Sequence, residues 1–234
     1  MLLKTKAVFF KQVKFSDTKR MVTFYTEEIG TVSVVMRYDK KLKNFIPLSP
    51  VELVIDYHEN KPVHYIKEYT FQPPLYNISG NPLKASVVIF LNEVLYNAIK
   101  EHEKNKALFN FIHENIIAFD RTAMPQFDFH IYFMIGLTRF LGCYPENNFN
   151  VKNCIFDLRE GKFVIHADHQ DTITGNEAEI FSICIANEQT KRYQSIVKRV
   201  FRIALLHHLC FYYRIHLEGF HMPNSLRVLE EVMQ

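Results

Sequence analysis

The first seventy-five residues alternate between apolar and polar side chains in short runs, which is the pattern of half-buried β-strands. The alternation predicts five strands, over residues 5–13, 20–26, 31–37, 51–57 and 63–71. Turn residues separate the strands, among them Gly30 before the third and the segment 58–62 before the fifth. Five short strands are typical of a small closed barrel, and their spacing fits either an OB-fold or an SH3-like barrel.

The apolar spacing changes to three and four residues after the paired prolines Pro73 and Pro74. This period predicts helices over residues 82–100, 106–119, 125–141, 176–186 and 190–217. Asn81 can cap the first of these helices, and Asn176 with Glu179 has the spacing of a capping box. The helix over 125–141 is apolar on nearly all sides, so we expect it to be the buried central helix.

A short β-hairpin over residues 154–166 is predicted between these helices, with Gly161 in its turn. The predicted fold class is therefore α+β. We expect two domains: a five-stranded barrel over residues 1–76 and an all-helical domain over residues 77–234 that contains the hairpin.

The formal net charge of +3 is distributed unevenly along the 234 residues. Residues 1–50 carry ten Lys and Arg against four Asp and Glu, a net charge of +6. Residues 51–188 carry eleven against eighteen, a net charge of −7, and residues 189–217 carry six basic residues and no acid. Two basic blocks on either side of an acidic segment suggest an anionic polymer as the partner, and nucleic acid is the first candidate.

The first basic block decorates the predicted barrel and interleaves cations with aromatic rings, an arrangement that suits a single strand of nucleic acid. We interpret Phe9, Phe24 and Tyr25 as packing residues and Tyr38 as the best candidate for stacking on a base. The candidate DNA contacts in this block are Lys4, Lys6, Lys11, Lys14, Lys19, Arg20, Arg37, Tyr38, Lys40, Lys41 and Lys43.

The second basic block lies on the predicted helix over residues 190–217. Helical spacing places three cations on one stripe and two more beside it, and these five are the remaining candidate DNA contacts: Lys191, Lys198, Arg202, Arg192 and Arg199. The alternative is that this stripe pairs with the acidic middle segment of the same chain.

Several enzyme classes are excluded by the glycine and motif pattern. The seven glycines are dispersed and form neither G-x-G-x-x-G nor a Walker-type loop, and the chain has no G-x-S-x-G and no H-E-x-x-H. We therefore do not expect an ATPase, a dinucleotide-dependent enzyme or a serine hydrolase. The apolar runs are far shorter than the roughly 20 residues of a membrane span, and no signal peptide is recognisable, so we expect a cytoplasmic protein.

The four cysteines form no C-x-x-C pair, so the sequence supports neither a zinc ribbon nor a redox pair, and we expect reduced, packed thiols. One group of side chains is a candidate metal site. His166, Asp168, His169 and Asp171 follow one another closely, with Cys154 upstream, and such side chains can ligate a cation. The alternative is a polar loop after a strand.

Four stretches of the chain resemble the RecO family of bacterial recombination mediators, in the same order and across nearly the whole length. They are TKRMVTFYTEEIG at residues 18–30, LSPVEL at 48–53, LTRFLGCYP at 137–145, and YYRIHLEGF at 212–220 followed by SLRVL at 225–229. The last stretch is most similar to members from the Bacteroides group. The resemblance implies an N-terminal OB-fold. Many RecO proteins hold a cysteine zinc site in the inserted region, but residues 154–171 contain one Cys, so the resemblance carries no zinc or other cofactor to this chain.

The resemblance implies a non-enzymatic mediator of DNA repair and homologous recombination. Such proteins bind single- and double-stranded DNA, anneal complementary strands, and act with RecR, and in some cases RecF, to load RecA on strands coated by SSB. They work in the bacterial cytoplasm at the nucleoid. Two alternatives remain open from the residues themselves: an RNA-binding barrel, and a metal-dependent nuclease built on residues 166–171.

RecO proteins also contact the acidic tail of SSB through their helical domain. Arg139 is one of few arginines in the acidic segment, and Phe133 and Leu137 precede it in an apolar helix. These three residues are the candidate tail site, because a cation beside an apolar groove suits a peptide that ends in a ring and a carboxylate. A surface arginine at a helix C-terminus is the alternative.

Overall fold

The computed structural model describes residues 1–38, 45–58, 61–99, 104–122, 127–192 and 196–233. These residues form two compact units, Met1–Ala123 and Met124–Gln234. Their elements in chain order are β1 (Leu2–Lys14), β2 (Lys19–Thr26), β3 (Gly30–Arg37), β4 (Pro50–Asp56), β5 (His64–Phe71), α1 (Tyr76–Gly80), α2 (Pro82–Ala98), α3 (Lys106–Arg121), α4 (Phe129–Thr138), β6 (Ile155–Asp157), β7 (Lys162–Val164), β8 (Thr172–Ile173), α5 (Gly175–Gln189), α6 (Arg199–His216) and α7 (Leu226–Val232).

The first five strands close into a barrel in the order β1-β2-β3-β5-β4, and β4 pairs back onto β1. All neighbours are antiparallel except β3 and β5, which run parallel. This five-stranded barrel confirms the predicted strands, and its order is that of an OB-fold rather than an SH3-like barrel.

The barrel interior is filled by alternate residues of each strand, such as Val22 and Phe24 of β2 and Val34 of β3. Phe45 lies among them, with its ring centroid 5.0 Å from that of Phe9. On the outer face, Tyr25 stacks on Phe10 at 6.0 Å. Phe9, Phe24 and Tyr25 are therefore packing residues, as the sequence predicted.

The helices α1 to α3 belong to the same compact unit as the barrel. Tyr25 of β2 reaches Phe109 of α3 with a centroid distance of 6.4 Å, and Asn81 caps α2 by accepting the backbone N–H of Lys84. The unit boundary thus differs from the predicted domain boundary at residue 76, because α2 and α3 pack on the outside of the barrel. The division into residues 1–76 and 77–234 stays a prediction.

The second unit is built around α4, whose ten residues are all buried. The predicted hairpin is present as β6 and β7, and β8 adds a third strand on the other side of β6. Phe156 of β6 anchors this sheet, since its ring lies 4.9 Å from Phe163 and 4.8 Å from Phe181 of α5.

Two helix predictions in this unit are wrong. The capping box does not form, because α5 begins at Gly175 and Asn176 lies inside its first turn. The predicted long helix over residues 190–217 is also wrong: α5 extends to Gln189, and α6 begins only at Arg199. Lys191, between them, has a φ of 56°, a left-handed conformation that ends a helix.

Candidate nucleic-acid interface

One end of the barrel exposes two cations and a tyrosine on the outer face of β2, β3 and β5. Lys19 lies directly opposite Arg37, and Val35 lies opposite Tyr65, so pleating places these residues on the same face of the sheet. The Lys19 Nζ is 5.9 Å from the centroid of the Tyr65 ring, which is 57% exposed. The register of three strands therefore brings together residues that are far apart in sequence.

A second cation–ring pair lies at the same end. The Arg20 guanidinium is 4.4 Å from the centroid of the Tyr38 ring, and this ring is 40% exposed. Arg20 also donates to the backbone carbonyls of Ser16 and Lys19 at 3.2 Å, while the Tyr38 N–H donates to Thr18 at 2.8 Å. These hydrogen bonds fix the pair against the β1–β2 turn.

We call these five residues, Lys19, Arg20, Arg37, Tyr38 and Tyr65, the cation–tyrosine patch. Exposed rings can stack on bases while neighbouring cations follow a phosphate backbone, so the patch has the chemistry of a single-strand binding surface. Sequence reasoning found four of the five. It missed Tyr65, because a tyrosine in a strand fits the barrel interior as well as its surface until the register is known.

The other basic residues predicted on the barrel are dispersed. The ammonium group of Lys4 is 3.0 Å from Glu52 and that of Lys14 is 2.7 Å from Asp17, while the Lys11 Nζ lies 4.0 Å above the ring of Tyr96. Lys6 is exposed on β1. The candidates Lys40, Lys41 and Lys43 lie outside the described residues.

A pocket opens beside the patch, between β3 and β5. Its volume is about 310 Å³, and its lining includes Ser33 of β3, Lys61, and Tyr57 and His64, whose ring centroids are 4.7 Å apart. The His64 Nδ1 accepts the backbone N–H of His58 at 3.3 Å, which leaves the ring proton on Nε2. Burial, with a smaller effect of His58, lowers the pKa of His64, so its imidazole is neutral at pH 7.

The second basic block does not form the predicted stripe. Lys191 and Arg192 follow the end of α5, and Lys198 is the residue before α6, so no single helix carries them with Arg202. Lys191 pairs with Glu188 at 2.7 Å. Arg192, Lys198 and Arg199 remain as exposed cations of this block.

Arg202 is not available to a phosphate. It is 8% exposed, its Nε donates to the buried carboxylate of Asp128 at 2.7 Å, and its Nη2 donates to the Val197 carbonyl at 2.7 Å. Asp128 also accepts the Val197 N–H, so this buried ion pair fixes the segment before α6. Its role in the fold is structural.

The proposed SSB-tail residues are not brought together as a groove. Phe133 and Leu137 are buried in the core of the second unit, whereas Arg139 is exposed. The Arg139 guanidinium pairs with the buried Glu188 carboxylate, which also accepts the Tyr144 hydroxyl at 2.8 Å. Burial, followed by this carboxylate, raises the pKa of Tyr144 well above its ordinary value. The tail site therefore stays a prediction, now with Arg139 as its one exposed member.

The residues of the predicted metal site are separated into individual side-chain pairs. His166 pairs with Asp168 at 2.8 Å, His169 with Asp157 at 3.2 Å, and Asp171 with Arg159 at 2.6 Å. Within the described ranges no cluster of three or more His, Cys, Asp or Glu side chains could hold a metal ion. Nothing in this arrangement supports the nuclease alternative.

The cysteines are free thiols in the structure. Cys184 and Cys210 are buried, and burial raises the pKa of each to about 12, which fits the expected packed thiols. Cys154 differs from that expectation because it is exposed.

Together the barrel and its patch define the class of the protein, an OB-fold protein whose barrel is followed by helices and a small sheet. None of the helices in the described ranges is long and apolar enough to cross a membrane. Two family models match the chain: "Recombination protein O N terminal" over residues 1–72 and "Recombination protein O C terminal" over residues 80–225.

Curated relatives match this chain over nearly its full length. The chain is 33% identical to the DNA repair protein RecO of Azobacteroides pseudotrichonymphae, 31% identical to that of Bacteroides fragilis and 29% identical to that of Phocaeicola vulgatus, each over 99% of both chains. The chain belongs to the RecO family of DNA repair proteins, and the resemblance noted in the sequence is confirmed.

Proposed function

We propose that this protein is a cytoplasmic recombination mediator that binds single- and double-stranded DNA and anneals complementary strands. With RecR, and with RecF where that protein takes part, it assists the loading of RecA on DNA coated by SSB. Family membership supports the general role in DNA repair. The observation that carries strand binding is the cation–tyrosine patch on the barrel.

The cations of the patch are not neutralised by carboxylates of the described residues. In the described part of the chain, Lys19, Arg20 and Arg37 form no salt bridge with a carboxylate, and two of them lie against neutral tyrosine rings. A cation over a ring keeps its full charge and remains able to bind phosphate. Annealing requires two anionic strands to approach with their charges neutralised, which cationic surfaces achieve without hydrolysis of any cofactor.

Arg192, Lys198 and Arg199 supply a second candidate surface. They are exposed in the second unit, and Lys198 and Arg199 lie at the start of α6, where the helix dipole favours an anion. Two separate cationic surfaces would allow one protein to hold two strands.

The test compares two double charge reversals with the same change in net charge. Lys19→Glu with Arg37→Glu alters the patch, and Lys152→Glu with Arg227→Glu alters exposed cations of the second unit as the control. We expect the patch variant to weaken binding of single-stranded DNA. The slope of log K against log salt, which is negative, should become less steep by about 1.4, the value for two lost phosphate contacts on a single strand. The patch variant should also anneal SSB-coated strands more slowly than the wild type.

Three results would contradict the proposal: binding that does not depend on salt, equal losses in the patch and control variants, or unchanged annealing by the patch variant. Competition between single-stranded DNA and RNA of the same sequence tests the RNA-binding alternative, which a clear preference for RNA would favour.

A further inference from the structure

The barrel wall is incomplete where β3 meets β5. β3 pairs with β2 along its whole length, from Gly30 to Arg37, but its described pairing with β5 is limited to Val34 and Val35. The first half of β3 therefore faces a gap, and the pocket of about 310 Å³ lies in this gap. Its volume is at the lower end of the range for small-ligand pockets, about 300 Å³ upward.

The pocket lining suits a flat heterocycle with polar edges. Tyr57 and His64 supply aromatic surface, Ile29 and Pro62 supply aliphatic surface, and Ser33 and the neutral His64 ring supply hydrogen-bonding groups. The exposed Lys61 is the one cation among the described lining residues, and none of them is a carboxylate. A single cation fits one backbone phosphate rather than the cluster of charges on a nucleoside triphosphate.

The pocket and the cation–tyrosine patch are formed by neighbouring residues of β3 and β5. Tyr65 of the patch follows His64 of the pocket, and Val35, opposite Tyr65, is two residues beyond Ser33 on β3. Arg37 lies four residues beyond Ser33, and four residues of a strand span about 13 Å. A backbone that lies along Lys19 and Arg37 therefore passes the pocket within about two nucleotide steps.

We propose that this pocket takes one unpaired base of a DNA strand whose backbone lies on the cation–tyrosine patch. The inference rests on the proposed DNA binding and predicts a preference for single strands at this surface. A base in a single strand can enter the pocket freely, whereas a base in a duplex must first be unpaired and unstacked. The pocket thus favours single strands over duplexes on the barrel.

The experiment is a thermodynamic cycle that measures how a change in the protein alters the affinity difference between two DNA ligands. The DNA ligands are an oligothymidylate of about 15 nucleotides, near the upper site size of an OB-fold, and an abasic strand of the same length and charge. The protein variants are Ser33→Leu, which fills the pocket, Ser33→Val, which fills it in part, and Thr70→Leu, an exposed position of β5 as the control.

We expect the wild type to bind the oligothymidylate more tightly than the abasic strand. Ser33→Leu should reduce this base preference about tenfold, the scale of one lost base contact, and leave the affinity for the abasic strand within about twofold. Ser33→Val should give an intermediate preference, and Thr70→Leu should match the wild type. Tyr65→Ala should reduce the base preference separately, because it removes a stacking surface of the patch.

Two kinds of failure can be told apart. If the wild type binds neither strand, the proposed function fails and this inference fails with it. If both strands bind but Ser33→Leu weakens them equally, or changes neither, strand binding stands and the base pocket is refuted. Tight binding of free thymidine that the oligothymidylate does not displace would indicate a small-molecule site and would also refute it.

Discussion

A buried histidine makes the stability of the second unit depend on pH. His130 is the second residue of α4 and has no exposed surface, and neither ring nitrogen finds a hydrogen-bond partner among the described residues. Burial lowers the pKa of His130 to about 3, with a smaller contribution from the Arg202 guanidinium. The folded protein therefore keeps this imidazole neutral, while the unfolded chain protonates it near pH 6.5.

The size of the effect follows from proton linkage. Below pH 6.5 the unfolded chain binds a proton that the folded chain does not, so stability is lost as the pH falls. With a folded-state pKa of about 3, the free energy of unfolding decreases by about 1.3 kcal/mol between pH 7 and pH 5.5 through this group alone. Each further pH unit, down to the folded-state pKa, decreases the free energy of unfolding by about 1.4 kcal/mol.

The perturbation is His130→Leu, which removes the titrating group and the two unpaired nitrogens while keeping a buried side chain. We expect the variant to be more stable than the wild type by about 1 kcal/mol at pH 7, because a buried polar group without partners is costly. The advantage should increase by about 1.3 kcal/mol at pH 5.5. Urea unfolding at both pH values, monitored through a signal from the second unit, measures the difference in unfolding free energy between the variant and the wild type.

The control is His166→Gln, because the His166 side chain is 79% exposed and should contribute little to either value. If the difference in unfolding free energy between wild type and His130→Leu is the same at pH 7 and pH 5.5, the reasoning is refuted. A loss of stability at pH 7 would show that the imidazole makes a favourable contact inside the fold.

Three further predictions concern stability, each checked by urea unfolding. Lys84→Met should destabilise the first unit by about 2 kcal/mol, because the buried ammonium donates to backbone carbonyls at the C-terminus of α3. Gly161→Ala should cost more than Gly142→Ala although both have positive φ, because only at Gly161 would a Cβ meet another atom, 2.6 Å from the Tyr212 hydroxyl. Lys191→Gly should be more stable than Lys191→Ala by about 1 kcal/mol, since both lose the ion pair but glycine alone tolerates the left-handed φ of 56°.

Local periodicity was sufficient to predict the barrel strands and most helices. The apolar runs in residues 5–13 and 20–26 correspond to β1 and β2. One face of these strands packs in the barrel core, and Phe10 and Tyr25 of the other face pack against α2 and α3. The predicted helix after residue 190, with its stripe of basic residues, is wrong for a local reason. The apolar period continues past Lys191, but its left-handed backbone ends α5, and periodicity contains no signal for that change in a residue other than glycine.

The site was only partly predictable because it depends on pairing between distant strands. Tyr38 stands among cations in sequence and could be identified there. Tyr65 and His64 join the site through the parallel pairing of β3 and β5, whose register is not encoded by either strand alone. The pocket results from the shortness of that pairing, so it too could be found only in the folded structure.

The two basic blocks of the sequence differ in what neutralises them. In the second unit, Arg202 and Lys191 pair with buried carboxylates, Asp128 and Glu188, so part of that positive charge is used within the fold. On the barrel, Lys4 and Lys14 pair with the carboxylates of Glu52 and Asp17. Lys19 and Arg20 lie instead against tyrosine rings, which hold a cation in position without cancelling its charge. The salt dependence of strand binding should therefore come mainly from the barrel, even though the sequence assigns the same net charge to both blocks.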